Sequence, residues 1–261
     1  MANPGTMLIT GASAGIGREL AKLAAQDKRP LVLVARRRDR LDELAGELRA
    51  VHGVSVTVLP ADLAQPAAPA SIFEQVKASG IEVECLVNNA GFGALGKFTE
   101  VERGRQLEMI DVNVRALVEL CHAFAPGMVA RKSGHILNVA SVAGFVPGPY
   151  MAVYYASKAF VLSFTEALAA ELRGTGVTAT ASCPGPTETE FSTVAGSGHT
   201  KLFRRGVADA ASVAKHAYRA MLAGQVIAVP GVMNWLMVEG VRFGPRALIR
   251  SLAASANASR K

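Results

Sequence analysis

Residues 10–17 read Thr10-Gly11-Ala12-Ser13-Ala14-Gly15-Ile16-Gly17, between the apolar run TMLIT (6–10) and the amphipathic stretch RELAKLAAQ (18–26). A strand that turns into a helix through glycines brings bare backbone close to a ligand. The N-terminus of the following helix favours an anion such as a pyrophosphate. The spacing is GxxxGxG rather than the common GxGxxG. Its strength as a signal comes from its place, with a strand before and a helix after, at the start of a βαβ series. Gly11, Ser13, Ala14, Gly15, Ile16 and Gly17 are therefore the candidate contacts for a dinucleotide.

The same alternation continues outward from this loop. Further candidate strands are LVLVA (31–35), SVTVLP (55–60), ECLVNN (84–89), GHILNVAS (134–141), VTATASC (177–183) and VIAVP (226–230). Several are apolar almost throughout, as strands covered on both faces must be. Helical patterns fill 15–27, 38–50, 69–79, 103–131, 151–173 and 209–223. The expectation is an α/β Rossmann-fold, a doubly wound parallel sheet of about seven strands in a three-layer αβα arrangement. Without repeat or linker, residues 1–261 read as one domain. The stretch 186–206, of mixed polarity and with three glycines, breaks the alternation and reads as a substrate loop. The tail 231–261 is apolar with interleaved arginines, and its pattern gives a helix, a break at Gly244-Pro245 and a second helix.

Bulk composition excludes other classes. The 28 Lys and Arg against 21 Asp and Glu give a formal charge of +7, but the basic residues are scattered and aromatics are only 6 %. No stacking platform for nucleic acid can be built from that, so no nucleic-acid partner is expected. Cys85, Cys121 and Cys183 form no CxxC pair, and the five histidines show no metal-ligand spacing. Reduced, buried thiols and no metal site follow. No basic leader precedes an apolar run, and no apolar run reaches the ~18 residues of a spanning helix, so a cytoplasmic protein is expected.

The end of the second strand decides the cofactor. An acid there would accept from the 2′-hydroxyl of NAD and repel the 2′-phosphate of NADP. This chain has Ala35 followed by Arg36, Arg37 and Arg38, and guanidinium groups suit a phosphate. NADP(H) rather than NAD is the reading.

From these residues the chain resembles the short-chain dehydrogenase/reductase family, in register over about residues 6–190. The family's TGxxxGIG is Thr10 to Gly17 and its NNAG is Asn88-Asn89-Ala90-Gly91. Its adenine-contacting Asp, at the end of the third strand, is Asp62, followed by Leu63. The helix asparagine is Asn113, the serine of NVAS is Ser141, and YxASK is Tyr154-Tyr155-Ala156-Ser157-Lys158. Pro184-Gly185, with Thr187 and Thr189, fits PGxxxT. The resemblance implies strand order 3-2-1-4-5-6-7 and a catalytic tetrad of Asn113, Ser141, Tyr154 and Lys158. Asn89, Ala90, Gly91, Tyr154 and Lys158 would also touch the cofactor.

The chemistry gives these residue types their sense. Reducing a carbonyl with hydride leaves an alkoxide that needs a proton donor and hydrogen-bond donors. A phenol with its free pKa of ~10 is a poor donor near neutrality, and an ammonium one helical turn away is expected to favour the phenolate. Ser141 would orient the carbonyl, and Asn113 would hold a water behind the lysine. Tyr154 and Tyr155 are both within a turn of Lys158, and the signature's register assigns the acid to Tyr154. Tyr155 shares a stripe with Met151, Ala159 and Leu162 and reads as a packing residue.

Apolar loops around the carbonyl, with Phe92, Ser141, Phe145, Tyr150 and Phe191 as pocket residues, point to a small hydrophobic carbonyl or alcohol substrate: ketoacyl, lipid, steroid-like or aromatic. A homodimer or homotetramer is expected. The tail could shield the substrate or touch a membrane surface through Arg242, Arg246 and Arg250, or pack on its own domain. The alternative function is a non-catalytic NADP sensor or scaffold of the same fold, which would be expected to lose Tyr154 or Lys158.

Overall fold

A computed structural model describes residues 4–198, 200 and 207–258. The main strands are β1 (Thr6–Thr10), β2 (Leu31–Ala35), β3 (Val56–Pro60), β4 (Val83–Asn88), β5 (Gly134–Val139) and β6 (Val177–Ser182), closed by β9 (Ile227–Ala228). They form one parallel seven-stranded sheet in the order β3-β2-β1-β4-β5-β6-β9, so the expected order holds. The seventh strand is numbered ninth because β7 (Thr187–Glu188) and β8 (Ala208–Asp209) pair separately as a two-residue parallel ribbon. Strand ends fall within two residues of the sequence reading, and β9 keeps only Ile227 and Ala228 of VIAVP.

Alternation along each strand explains why these strands carry almost no polar residues. Met7 and Ile9 of β1 join Leu31 and Leu33 of β2 on one face. Leu8, Val32 and Val34 join the core on the other. Residues two apart share a face, so a sheet covered twice needs apolar residues at every position. The first face is covered by α1 (Gly15–Gln26), α2 (Arg38–His52) and α8 (Ala210–Leu222), through Leu20, Leu44 and Met221. The second is covered by α3 (Ala68–Ala78), α5 (Ala116–Arg131) and α6 (Ala152–Glu171), through Ile72, Phe124 and Val161.

The pattern over 103–131 resolves into α4 (Arg103–Ile110), a π-turn over Asp111–Arg115, and α5. The helix does not break there. It widens by one residue per turn, and the wide turn holds Asn113, as such turns commonly do at functional sites. The stretch 186–206 is more regular than read from sequence, with β7 and the short α7 (Phe191–Val194). Residues 199 and 201–206 of that expected loop lie outside the described residues. The tail forms α9 (Val232–Val241) and α10 (Arg246–Asn257), with the break at Gly244-Pro245 as expected. Among the described residues no helix is long and apolar enough to cross a membrane.

All three cysteines are unpaired and buried. Burial pushes each thiol up to about 12, so none is a thiolate near neutrality. One buried polar chain crosses the core: Asn88 Nδ2 donates to Asn138 Oδ1 (2.9 Å), and Asn138 Nδ2 donates to Thr165 Oγ1 (2.9 Å). It ties β4, β5 and α6, the three elements that carry the site.

Candidate active site

The site opens between the ends of β1 and β4, where strand order reverses and neighbouring crossovers leave in opposite directions. Thr10 Oγ1 accepts from the amides of Asn89 (3.0 Å) and Ala90 (3.1 Å). The Asn89 side chain donates back to the carbonyl of Thr10 (2.9 Å). This fixes the glycine loop against the NNAG segment. Gly11 has φ +66°, where a Cβ would strain the backbone and lie 2.8 Å from Asn89 Nδ2. Gly17 is needed for proximity: a Cβ there would lie 2.5 Å from both Asn89 Nδ2 and the carbonyl oxygen of Gly11.

A cleft of about 1190 Å³ runs from this loop across the sheet. Its wall at one end is Arg36, Arg37, Asp62 and Leu63, and in the middle Gly11, Ser13, Ala14, Gly15, Ile16, Asn89, Ala90 and Gly91. At the far end lie Ser141, Tyr154 and Lys158, with Pro184, Gly185, Thr187 and Thr189 along the side formed by β7 and α7, a lid segment over Thr187–Val194. Gly17 is not on the wall; its role is packing beneath the loop. Bare-backbone turns, a guanidinium cluster at one end and a Tyr–Lys pair at the other fit an extended dinucleotide.

Asn113 is 1 % exposed and lies behind the wall. Its Oδ1 accepts from Phe92 N (3.1 Å), and its Nδ2 donates to Phe92 O (3.0 Å) and Ser157 Oγ (3.0 Å). Its described contacts thus clamp the strand-end backbone. A Cβ on Gly91 would lie 3.0 Å from Asn113 Oδ1 and 3.3 Å from Lys158 Nζ. A side chain at Gly91 would therefore crowd both groups.

Lys158 is buried and donates to the carbonyl of Val139 (2.6 Å). Burial lowers its ammonium to about 8. Its Nζ stands 6.0 Å from the Tyr154 ring centroid. The Tyr154 hydroxyl, contrary to the expected phenolate-favouring field, is pushed up. Burial dominates, and the contact with Ser141 only partly opposes it. Lys158 donates to Val139 rather than to the phenol, and burial keeps the proton on Tyr154. Ser141 Oγ donates to Pro184 O (3.3 Å) and accepts from Ala143 N (3.1 Å).

Around the Tyr154 ring the expected pocket is partly corrected. Phe92 and Phe191 line the cleft, the Phe191 ring lying 5.1 Å from that of Tyr154. Phe145 does not line it; its ring packs into the second core face. Tyr150, at φ +67°, faces a small separate cavity beside Phe98 and Met109. Their place is taken by Met151 and by residues the sequence reading did not single out: Met233, Met237, Val241, Ile249, Leu252, Ala253 and Ala256 of α9 and α10. The sequence reading offered substrate shielding as one role of this tail, but did not name the residues that line the cleft. Tyr155 is buried against Ala143 and Met151 and also reaches the cleft wall. Its OH donates to Asn257 Oδ1 (3.1 Å), and Asn257 Nδ2 donates to Pro149 O (3.1 Å). The tail is thereby clasped onto its own domain.

A parallel sheet of this order, with a glycine loop at its switch point and a Tyr–Lys pair beside it, defines an oxidoreductase that uses a nicotinamide cofactor. The chain belongs to the short-chain dehydrogenase family, whose model, described as short chain dehydrogenase, matches residues 5–199. It is 41 % identical over 190 residues to sulfoacetaldehyde reductase 2 of Chromohalobacter salexigens, covering 72 % of this chain and 75 % of that one. Among solved structures it is similar to a short-chain dehydrogenase from Sphingobium yanoikuyae in complex with NADPH. That match has 35 % identity and a TM-score of 0.83, covering 95 % of this chain and 97 % of that one. It is also similar to the bulky-bulky ketone specific alcohol dehydrogenase from Comamonas testosteroni, with 30 % identity and a TM-score of 0.79, covering 95 % and 96 %.

Two glycines separate packing from propensity. Gly17→Ala should weaken NADPH binding by tenfold or more and lower the melting temperature, because the loop must shift. Gly46→Ala, in α2 with nothing within 4 Å, should raise stability by about 0.5–1 kcal/mol. Thermal melts with and without NADPH check both; an undisturbed Gly17→Ala would refute the packing role.

Proposed function

We propose that this enzyme transfers hydride between NADP(H) and a carbonyl or secondary alcohol of a bulky hydrophobic substrate, with Tyr154 as general acid and base. The observation that carries the reading is the single cleft joining the Arg37 end to Tyr154 beneath an apolar roof. The cofactor, when bound, would supply or accept the hydride. Gly11, Ser13, Ala14, Gly15 and Ile16 would hold its pyrophosphate. Arg36 and Arg37 would hold the 2′-phosphate, and Asp62 and Leu63 the adenine side. Asn89, Ala90, Gly91, Pro184, Gly185, Thr187 and Thr189 would hold the nicotinamide half.

Ser141 Oγ would turn from Pro184 O toward the carbonyl oxygen of the substrate. Tyr154, resting protonated, would give its hydroxyl proton to that oxygen as negative charge develops there. The resulting phenolate would then be stabilised by Lys158, whose ammonium must be present for the step. Asn113, a positioning residue in this scheme, holds the Phe92 backbone and so the wall against which the lysine is packed.

For the substrate, Met151, Phe191, Met233, Met237, Ile249 and Leu252 give an apolar surround. Among the described lining residues no arginine accompanies Tyr154 at that end, which argues against a small sulfonate and for a ketone with two large substituents. We place self-association on the outward side of the roof, where Trp235, Leu236, Phe243 and Leu248 are exposed. Sedimentation of the full chain, monomeric at micromolar concentration, would remove that assignment.

Tyr154→Phe should cut turnover by roughly 10²–10⁴-fold with NADPH affinity within twofold, whereas Tyr155→Phe should keep most activity; the reverse pattern would move the acid to Tyr155. Ketone reduction should be full below about pH 8 and fall above it, because the Lys158 ammonium is lost there. A profile flat from pH 6 to 10 would contradict this. Asn257→Ala frees the roof from Tyr155 and Pro149, so KM for a bulky diaryl ketone should rise several-fold. A small aldehyde and NADPH binding should be unaffected.

A further inference from the structure

The guanidinium cluster at the cofactor end of the cleft holds a carboxylate that comes from the lid. Glu190, immediately after Thr189 and leading into α7, places Oε2 2.7 Å from Arg37 Nη2 and Oε1 2.5 Å from Arg40 Nη1. The same Arg37 Nη2 donates to Ser13 Oγ at 3.2 Å. More than 150 residues of chain separate Arg37 from Glu190, so this is a tertiary contact across the mouth of the groove. The two arginines hold the Glu190 carboxyl below the usual carboxylate range. The neighbouring guanidinium groups have different partners: Arg36 lies 3.7 Å from Glu108, and Arg38 pairs with Asp42 one turn on.

We propose that Glu190 occupies the 2′-phosphate site of the resting enzyme and sets how strongly the enzyme discriminates NADP(H) from NAD(H). The inference rests on the NADP(H) reading above. Arg37, with Arg36 beside it, would grip a 2′-phosphate, and Glu190 holds the same Arg37 nitrogen that would make the contact. A dianionic phosphate and a carboxylate cannot share one guanidinium nitrogen without like-charge repulsion. The carboxylate must leave, and with it the anchor of the lid over Thr187–Val194. NADP(H) binding therefore carries a cost that NAD(H), with a neutral 2′-hydroxyl, does not.

The ion pairs are partly solvated, with side chains 39–45 % exposed, so the effect is modest and screened by salt. Glu190→Gln should tighten 2′,5′-ADP and NADPH by about threefold to tenfold, the range expected for removing one exposed carboxylate partner from such a site. Binding of 5′-AMP and NADH should stay within twofold. Calorimetry of the two adenosine phosphates reads this without turnover, and Glu190→Ala should act in the same direction. Equal loss of both pairs of ligands would make Glu190 a strap over bound cofactor and overturn the inference, as would no selective change. Wild-type enzyme that binds NADPH no tighter than NADH, while Glu190→Gln still tightens 2′,5′-ADP, would place the failure in the cofactor reading and not in Glu190.

Discussion

The double clasp between Thr10 and Asn89 is the contact on which the site depends. The Thr10 hydroxyl takes two amides from the end of β4, and the Asn89 amide returns two donations, to Thr10 O at 2.9 Å and Gly11 O at 3.3 Å. It sits where the sheet order turns from β2-β1 to β4-β5, the one place where the crossovers part and leave a crevice. A crevice of exposed strand ends would leave backbone donors and acceptors unpaired. The clasp pairs them through two side chains, the Thr10 hydroxyl for the amides and the Asn89 amide for the carbonyls. It also fixes the distance between the glycine loop and the NNAG turn. Gly17 and Gly11 are glycines because that distance leaves no room for a Cβ.

Behind the crevice, the electrostatics are set by burial more than by the neighbours that sequence brings to mind. A lysine one turn from a tyrosine suggests an activated phenolate. In the structure the ammonium is turned to Val139 O, its pKa is lowered to about 8, and the phenol is pushed up. Both shifts favour neutral forms, as desolvation of two groups with few partners must. The neutral phenol is therefore the resting form of Tyr154.

Most of the architecture could be read locally. Strands covered on both faces are apolar runs, and β1 and β2 matched to the residue because glycine, proline and charged residues bound them. Gly244-Pro245 marked the break in the tail for the same reason. The motif residues of the cleft were legible because most lie at strand ends, or like Tyr154 and Lys158 near the start of α6, where few residue types meet the geometric demands. What could not be read was which distant side chains share a wall. Phe145 and Tyr150 sit in the expected loop, yet one turns into the core and the other toward a side cavity. Ile249 and Leu252, about a hundred residues from Tyr154, complete the pocket. Helical periodicity reports that a face is apolar and is silent on its partner. The π-turn at Asn113 was invisible for a related reason, since one extra residue in a turn leaves the apolar pattern of α4 and α5 almost unchanged.

The roof also carries the chain's single tryptophan. Trp235 lies in α9, half exposed at 52 %, on the same helix as Met233 and Met237, which face the cleft. Its emission therefore belongs to the roof alone, with no background from the sheet or the glycine loop. Quenching by a small ion would follow the solvation of that one helix while ligands enter beneath it. The molecule carries its own optical label on a helix that lines the cleft.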